Sequence, residues 1–221
     1  MAERDWYAWH APYDDPDSGL SRRLSWVQDR VRAALDEAPP GPLRAISLCA
    51  GQGADLIVPL SSHPRRDDVT ARLVELDPRN AAVARRLAAE AGLDRLEVVL
   101  GDAALTSQYA DLVPAGLVLV CGVFGNMTDA GVERVIGYCT QLCAAGGTVI
   151  WTRGRWAPDL VPQVCAWFEE QGFERLWVAD APLGAGAHRF TGIPQPLATG
   201  SRMFTFMTDA QIRQSRGLPP R

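Results

Sequence analysis

The sequence predicts an α/β fold built on a mostly parallel sheet with helices on both faces. Stretches of strand pattern alternate with stretches of helical periodicity, which is typical of parallel sheets. The strand stretches are also almost continuously apolar, as expected when both faces of a strand are buried. The predicted strands lie near residues 44–49, 70–76, 95–100, 116–121 and 147–152, and the predicted helices near 54–61, 78–91, 103–110, 128–143 and 158–171.

A segment rich in aromatic and acidic residues, 1–17, precedes the first predicted helix at 18–37. Apolar residues recur in that helix at helical spacing, and a Pro-Pro-Gly-Pro run that starts at residue 39 ends it. Because no strand accompanies this helix, we expect residues 1–40 to form a cap on one structural unit spanning residues 41–221. The aromatic residues either fold over a ligand as a lid or pin the extra helix to the sheet.

The end of the chain departs from the strand–helix rhythm. A sixth strand is predicted near 173–179, and a Gly- and Pro-rich loop follows at 181–200. The next apolar stretch, residues 202–207, is the predicted seventh strand. No helix fits between these two strands, so we expect them to pair antiparallel.

Composition excludes several classes of function. The chain of 221 residues carries a net charge of −4 and no basic cluster, which argues against a nucleic-acid partner. It contains no lysine, so a P-loop lysine and a pyridoxal Schiff base are impossible. Its five cysteines form no CxxC pair, so no zinc site is expected. A charged start and the lack of a membrane-length apolar run predict a cytoplasmic protein with no membrane partner.

Three short motifs end successive predicted strands. The first is a turn containing Gly51 and Gly53, which lets backbone amides approach a ligand closely. The second is Val74-Glu75-Leu76-Asp77, in which Glu75 lies at the distance along the chain that suits an acid bound to a ribose diol. Asp77 is the competing acid, but Asp77-Pro78 is more typical of a helix N-cap followed by proline. The third is Gly101-Asp102, whose carboxylate can accept a hydrogen bond from an exocyclic amine. Together they predict a site for an adenosyl ligand across the strand ends.

On these motifs, residues from about 43 to 207 resemble class I S-adenosylmethionine-dependent methyltransferases. The resemblance implies a Rossmann-like sandwich whose seven-stranded, mostly parallel sheet ends in an antiparallel last strand. It also implies that S-adenosylmethionine is the cofactor. The glycine turn would hold the methionine part, Glu75 would bind both ribose hydroxyls, and Asp102 would accept from the adenine amine. The residues that the resemblance assigns to cofactor binding are Ala50, Gly51, Gly53, Asp55, Glu75, Leu76, Gly101, Asp102, Ala103 and Cys121.

Two positions depart from the family pattern. Ser47 replaces an acid that anchors the methionine amino group in the family, and Cys49 replaces the first glycine of the turn. Asp55, in the first turn of the following helix, is a stand-in for the lost acid. An equally good interpretation is that Asp55 only satisfies free amides at the helix start.

The candidate catalytic residues are Asn126, His188 and His10. Asn126 resembles the position after the fourth strand that often faces the acceptor in the family. His188 is expected in the loop after the sixth strand, and His10 in the N-terminal segment. Methyl transfer requires a general base only if the acceptor must lose a proton. Each histidine could therefore have a structural role and no catalytic one. Arg153, after the fifth strand, is expected to border the acceptor pocket or to lie in solvent.

The predicted function is methyl transfer to a small-molecule metabolite, without a metal. The nucleic-acid N-methyltransferase motif and the paired acids of magnesium-dependent O-methyltransferases are both missing. A homodimer is compatible with the sequence. One alternative is a protein that binds the cofactor without methylating, such as a cyclase or regulator. A less favoured alternative is an NAD(P)-dependent reductase. Residues 51–56 lack the third glycine of the dinucleotide-binding pattern GxGxxG, which argues against it.

Overall fold

In a computed structural model that describes residues 5–217, one seven-stranded sheet organises the chain. The strands are β1 Leu43–Leu48, β2 Val69–Glu75, β3 Leu96–Leu100, β4 Ala115–Val120, β5 Cys143–Gly154, β6 Phe173–Val178 and β7 Leu183–Phe190. The α-helices are α1 Gly19–Glu37, α2 Ala54–Ser62, α3 Pro78–Glu90, α4 Asp129–Leu142, α5 Val161–Glu170 and α6 Asp209–Ser215. No helix between residues 5 and 217 combines the length and apolarity needed to cross a bilayer.

The strands lie in the order β3-β2-β1-β4-β5-β7-β6. The pairs that join β3, β2, β1, β4 and β5 are parallel, whereas β7 runs antiparallel to both of its neighbours. The predicted fold class is therefore confirmed. The strand order reverses beside β1, and in sheets of this type ligands bind at the carboxyl ends of the strands next to that point.

Each face of the sheet carries its own apolar cluster. Residues alternate along β1, so that Ile46 and Leu48 face one cluster while Leu43 and Ala45 face the other. The first cluster lies under α4 and α5, and the second lies under α1, α2 and α3. Helices therefore cover both faces, which explains why the central strands β1 and β4 are buried along most of their length.

The predicted first helix is confirmed as α1. Ser18 caps its start, accepting a hydrogen bond from the Ser21 amide through its side chain. The helix packs against α2 and β7, and an ion pair between Glu37 and Arg189 joins its last turn to β7. The N-terminal cap is thus packed on the sheet unit.

The prediction for the seventh strand was wrong. The strand is Leu183–Phe190, inside the segment predicted to be a loop, and it inserts between β5 and β6. Its residues 184–187 are all glycine or alanine, and packing against β5 explains the two glycines. A Cβ atom on Gly186 would stand 2.4 Å from Trp151 Cζ2, and one on Gly184 would stand 2.6 Å from Arg153 O. Close packing therefore imposes small residues that weaken the strand pattern of the sequence.

Residues 202–207, the predicted last strand, instead run as an extended segment across the carboxyl ends of the sheet. Their hydrogen bonds are isolated: the Met203 amide donates to Ala104 O at 2.7 Å, and the Met207 amide to Asn126 O at 2.7 Å. Met203 and Phe204 are buried. The apolar pattern therefore arises from packing over the strand ends and not from the sheet.

Two smaller differences concern helices. The stretch predicted as a helix at 103–110 contains only a short 3-10 helix, Thr106–Tyr109. The short helix α6 was not predicted from the sequence; its start is a capping box formed by Thr208 and Gln211.

Candidate functional site

A cavity of about 700 Å³ opens at the carboxyl ends of the strands. We call it the strand-end cavity; its walls are the glycine turn 49–53, the acids that follow β2 and β3, the N-terminal aromatic segment, and residues 202–210. A volume of this size is in the range of sites for cofactors and small molecules. The sheet therefore places its cavity where an open α/β sheet is expected to bind a ligand.

The glycine turn adopts left-handed backbone conformations. Cys49, Gly51 and Gly53 have φ angles of 51°, 57° and 75°. Cys49 bears the steric cost of this conformation, which glycine avoids, and this explains why a glycine is the usual residue there. A Cβ atom on Gly51 would stand 2.3 Å from His10 Nε2, so this position also requires glycine for space.

Glu75, the last residue of β2, is buried beside the glycine turn. Its Oε2 accepts a hydrogen bond from the Gly51 amide at 2.8 Å, and its Oε1 accepts one from the Asp77 amide at 2.8 Å. Each carboxylate oxygen has a second lone pair, so the side chain can still accept from a ligand. The two amides hold Glu75 in one orientation at the cavity wall.

Asp102 follows β3 on the same edge of the sheet. Its Oδ1 accepts from the Ala104 amide at 2.9 Å, and its Oδ2 accepts from the Arg202 guanidinium at 2.7 Å. The first contact stabilises the turn that follows β3. The side chain lines the cavity together with Ala103.

Asp55 has an unsatisfied carboxyl oxygen at the start of α2. Its side chain is buried, and Oδ1 has no hydrogen-bond partner within residues 5–217. Burial raises the pKa of Asp55 to about 6. An acid that lines a cavity with a free oxygen is suited to receive a cationic group of a ligand.

The predicted cofactor-binding residues converge, with one exception. Those that line the strand-end cavity are Ala50, Gly51, Gly53, Asp55, Glu75, Leu76, Asp102, Ala103 and Cys121. Gly101 lies behind the wall, where its amide donates to Glu75 O at 2.9 Å. Burial raises the pKa of the Cys121 thiol well above its usual value, so it stays protonated.

The N-terminal aromatic segment lies over the cavity. Trp6, Trp9, His10 and Tyr13 line it, and the Trp6 ring packs against Phe206 with 5.7 Å between ring centroids. The 3-10 helix of this segment, Ala8–Asp14, contains no buried residue. The aromatic side chains are therefore positioned as a cover over the cavity more than as filling between α1 and the sheet.

His10 has a defined tautomer in its neutral form. Its Nδ1 lies 2.8 Å from Trp6 O, and a carbonyl oxygen can only accept, so Nδ1 carries the proton. The other nitrogen, Nε2, keeps its lone pair and faces Gly51. His10 can therefore accept a proton inside the cavity.

The expected position of His188 was wrong. It belongs to β7 and is fully buried, not in a loop on the rim, because the last strand occupies a different segment. Its Nδ1 accepts a hydrogen bond from Trp151 Nε1 at 3.1 Å, and its ring stacks on Phe168. Burial, with a contribution from Arg175, lowers the pKa of His188 to about 3. The residue is not part of the cavity wall.

Asn126 and Arg153 also lie outside the wall of the strand-end cavity. Asn126 Nδ2 donates to Gly122 O at 2.7 Å and so braces the turn after β4. Arg153 is buried in β5, where it donates to Phe124 O at 2.7 Å and lies against the Trp156 ring. The structure therefore places both side chains as supports of loops next to the cavity.

The sequence analysis missed Arg23, Asn80 and Arg202, which all line the cavity. The role of Arg23 could have been inferred from the spacing of residues in α1. The buried residues of α1 are Arg23, Val27, Val31 and Leu35, at intervals of four residues. Charged side chains are rarely buried unless they bind a partner, so an arginine in register with a buried apolar stripe indicates a binding role for its guanidinium.

Three solved methyltransferase structures have a fold similar to that of this chain. The CurJ carbon methyltransferase matches with a TM-score of 0.66 at 14% identity, over 84% of this chain and 58% of that chain. An O-methyltransferase family protein from Burkholderia thailandensis matches with a TM-score of 0.61 at 16% identity, over 78% and 56%. Magnesium protoporphyrin IX methyltransferase (ChlM) from Synechocystis PCC 6803, solved with bound SAM, matches with a TM-score of 0.59 at 13% identity, over 86% and 99%.

These similarities establish the fold: the chain has the seven-stranded fold of class I S-adenosylmethionine-dependent methyltransferases. It spans little more than half the length of the CurJ and Burkholderia thailandensis structures. A scan of protein-family models and a search of curated proteins give no match.

Proposed function

We propose that the protein is an S-adenosylmethionine-dependent methyltransferase that acts on a small-molecule acceptor without a metal. The observation that carries the proposal is that Glu75 and Asp102 line one cavity together with the glycine turn. Glu75 pairs in register with Leu100, and Asp102 lies two residues beyond Leu100, so both acids stand at the same edge of the sheet. A ribose and a purine amine need such a pair of acceptors side by side.

The residues of the cavity fit the cofactor. Gly51 and Gly53 carry no side chain, so a ligand could approach the backbone of the turn closely, with His10 Nε2 lying against Gly51. The unpartnered oxygen of Asp55 would receive the ammonium group of the methionine part. Glu75 would hold the ribose hydroxyls, and Asp102 with Ala103 would contact the adenine. When bound, the cofactor would supply an electrophilic methyl group on a sulfonium sulfur.

The protein's contribution to such a transfer is alignment and exclusion of water. An in-line displacement needs a nucleophile, carbon and leaving group held in one line, and fixed side chains lower its barrier chiefly by orientation. The two amide hydrogen bonds to Glu75 give that rigidity on the cofactor side. The cover formed by Trp6, Trp9 and Tyr13 would exclude water on the acceptor side.

His10 is the residue that we propose as a base for acceptors that must lose a proton. It lines the cavity, its Trp6 contact fixes the protonated nitrogen, and Nε2 is the free acceptor. Asn126 and His188 are not carried into this proposal, because their side chains are engaged outside the cavity wall.

Binding measurements test the cofactor assignment. Calorimetry should detect S-adenosylmethionine and S-adenosylhomocysteine at micromolar affinity and no binding of NADH. Glu75→Gln, which keeps an oxygen for the Gly51 amide, should bind S-adenosylhomocysteine at least tenfold more weakly, about 1.4 kcal/mol. Glu90→Gln, an exposed position on α3, is the matched control and should bind like the wild type. NADH binding without adenosylhomocysteine binding would overturn the assignment.

A second measurement separates methyl transfer from binding alone. The protein is incubated with S-adenosylmethionine and fractionated small-molecule extract, and release of S-adenosylhomocysteine is followed. Release that depends on one fraction supports the enzyme. Tight cofactor binding with no release above background in any fraction would favour a non-methylating protein.

A further inference from the structure

Arg23 is a buried cation that has no acidic partner among residues 5–217. It projects from α1 into the strand-end cavity and is only 7% exposed. Its guanidinium donates to the Tyr13 hydroxyl at 3.3 Å, and within residues 5–217 no carboxylate lies at ion-pair distance from it. A buried charge without a counter-charge is costly, so the position calls for an anion.

Asp55, on the facing helix α2, carries the opposite charge. It is a buried acid in the same cavity with an oxygen that has no hydrogen-bond partner within the described part of the chain. The two residues do not form an ion pair with each other. Both act on Tyr13: burial raises the pKa of the Tyr13 hydroxyl, the Arg23 cation lowers it, and the Asp55 charge raises it. Tyr13, Arg23 and Asp55 all line the strand-end cavity, so the two opposite charges face the same space.

A zwitterion satisfies both charges at once. Its carboxylate would pair with the Arg23 guanidinium, and its ammonium group with the free oxygen of Asp55. The Tyr13 oxygen already accepts from Arg23, so its own O–H is available to donate to the same carboxylate. A monocarboxylic ligand would leave Asp55 unpaired, and a simple amine would leave Arg23 unpaired.

We propose that Arg23 and Asp55, with Tyr13, form a site for the α-carboxylate and α-ammonium groups of an amino-acid ligand. Resting on the proposed function, this ligand is the methionine end of the adenosyl cofactor. The site would replace the anchor that is lost where Ser47 stands in place of the family's acid. Because Arg23 belongs to the N-terminal cap, the cap would supply part of the cofactor site and not only a cover.

The test compares two ligands that differ in the amino-acid group alone. S-adenosylhomocysteine carries it, whereas 5′-methylthioadenosine has the same nucleoside and thioether without it. Arg23→Met should weaken binding of S-adenosylhomocysteine at least tenfold in calorimetry and change binding of 5′-methylthioadenosine less than twofold. Arg22→Met, an exposed neighbour on α1, is the matched control and should change neither. Asp55→Asn should give the same selective loss as Arg23→Met, which covers the case in which one variant does not fold.

The failures can be told apart. Equal weakening of both ligands would assign Arg23 to structure only, and unchanged affinity for S-adenosylhomocysteine would remove it from the cofactor site. Either result overturns this inference and leaves the proposed function standing. If the wild-type protein binds neither ligand, the proposed function fails first and the inference fails with it.

Discussion

The side chain of Glu75 and the backbone amide of Gly51 are joined by a hydrogen bond of 2.8 Å, so the acid that ends β2 is held by the turn that follows β1. This contact links two strand ends that are adjacent in the sheet but distant in the chain. It also means that a change in the turn would reach the carboxylate. The ligand contacts proposed for Glu75 therefore depend on the backbone conformation at Gly51.

Gly51→Ala is expected to abolish tight adenosyl binding. The new Cβ would meet His10 Nε2 at 2.3 Å, and φ at this position is 57°. The left-handed conformation alone costs about 1 kcal/mol for alanine. Gly146→Ala has a similar φ of 77° with no atom within 4 Å, so it reproduces the backbone strain without the clash. Calorimetry should show loss of S-adenosylhomocysteine binding for Gly51→Ala only; normal binding by that variant would contradict the close approach.

Asp55→Asn is expected to stabilise the ligand-free protein while it weakens cofactor binding. Burial raises the folded-state pKa of Asp55 to about 6, above its unfolded value, so charging the acid penalises the folded state as the pH rises from about 4 through 6. Asparagine removes this penalty. The variant's gain in unfolding free energy should be near zero at pH 4 and reach up to about 3 kcal/mol at pH 8.

Urea unfolding at both pH values measures that gain. A gain that is equal at pH 4 and pH 8 would show that the stabilisation does not come from the ionised carboxylate. Asp94→Asn, an exposed acid between α3 and β3, serves as the control and should give a small change at either pH.

His188 is expected to limit stability in acid and to have no part in the cofactor site. Its folded-state pKa of about 3 lies below the unfolded value, so its neutral form contributes stability that is present above pH 6.5 and is lost as the pH falls towards 3. His188→Phe leaves the Trp151 N–H without an acceptor, which should cost about 1–3 kcal/mol at pH 8. The same variant should lose less stability than the wild type between pH 7 and pH 4. Its affinity for S-adenosylhomocysteine should equal that of the wild type, and a selective loss of affinity would return His188 to the site.

The convergence of Glu75 and Asp102 on one cavity was predictable because strand ends in a parallel sheet share one edge. When the apolar runs are interpreted as parallel strands, Glu75 and Asp102 lie at that edge regardless of the conformation of the loops. Asp55 followed in the same way from the turn after β1. Local sequence sufficed for these residues because each lies within a few positions of a strand end.

The positions of His188, of residues 202–207 and of Arg23 could not be predicted, because they depend on contacts between distant parts of the chain. His188 was misplaced because Gly184 and Gly186 weaken the pattern of β7, although they are required by packing. The segment 202–207 imitated a strand because its apolar residues pack over the strand ends. Arg23 was overlooked because its role appears only when α1 is docked beside the cavity.

Replacement by alanine is expected to change the free energy of unfolding in opposite directions at two glycines, Gly186 in β7 and Gly137 in α4. A Cβ on Gly186 would lie 2.4 Å from Trp151 Cζ2, within the buried contact of β5 and β7, so Gly186→Ala should destabilise the fold by about 1–3 kcal/mol. Gly137 lies in the interior of α4, where an added Cβ would have no atom within 4 Å, so Gly137→Ala should stabilise the fold by about 0.5–1 kcal/mol. Urea unfolding of the two variants measures both changes. Because the substitution is chemically identical, a stabilising Gly186→Ala would show that Trp151 does not lie against β7 and that β7 does not insert beside β5.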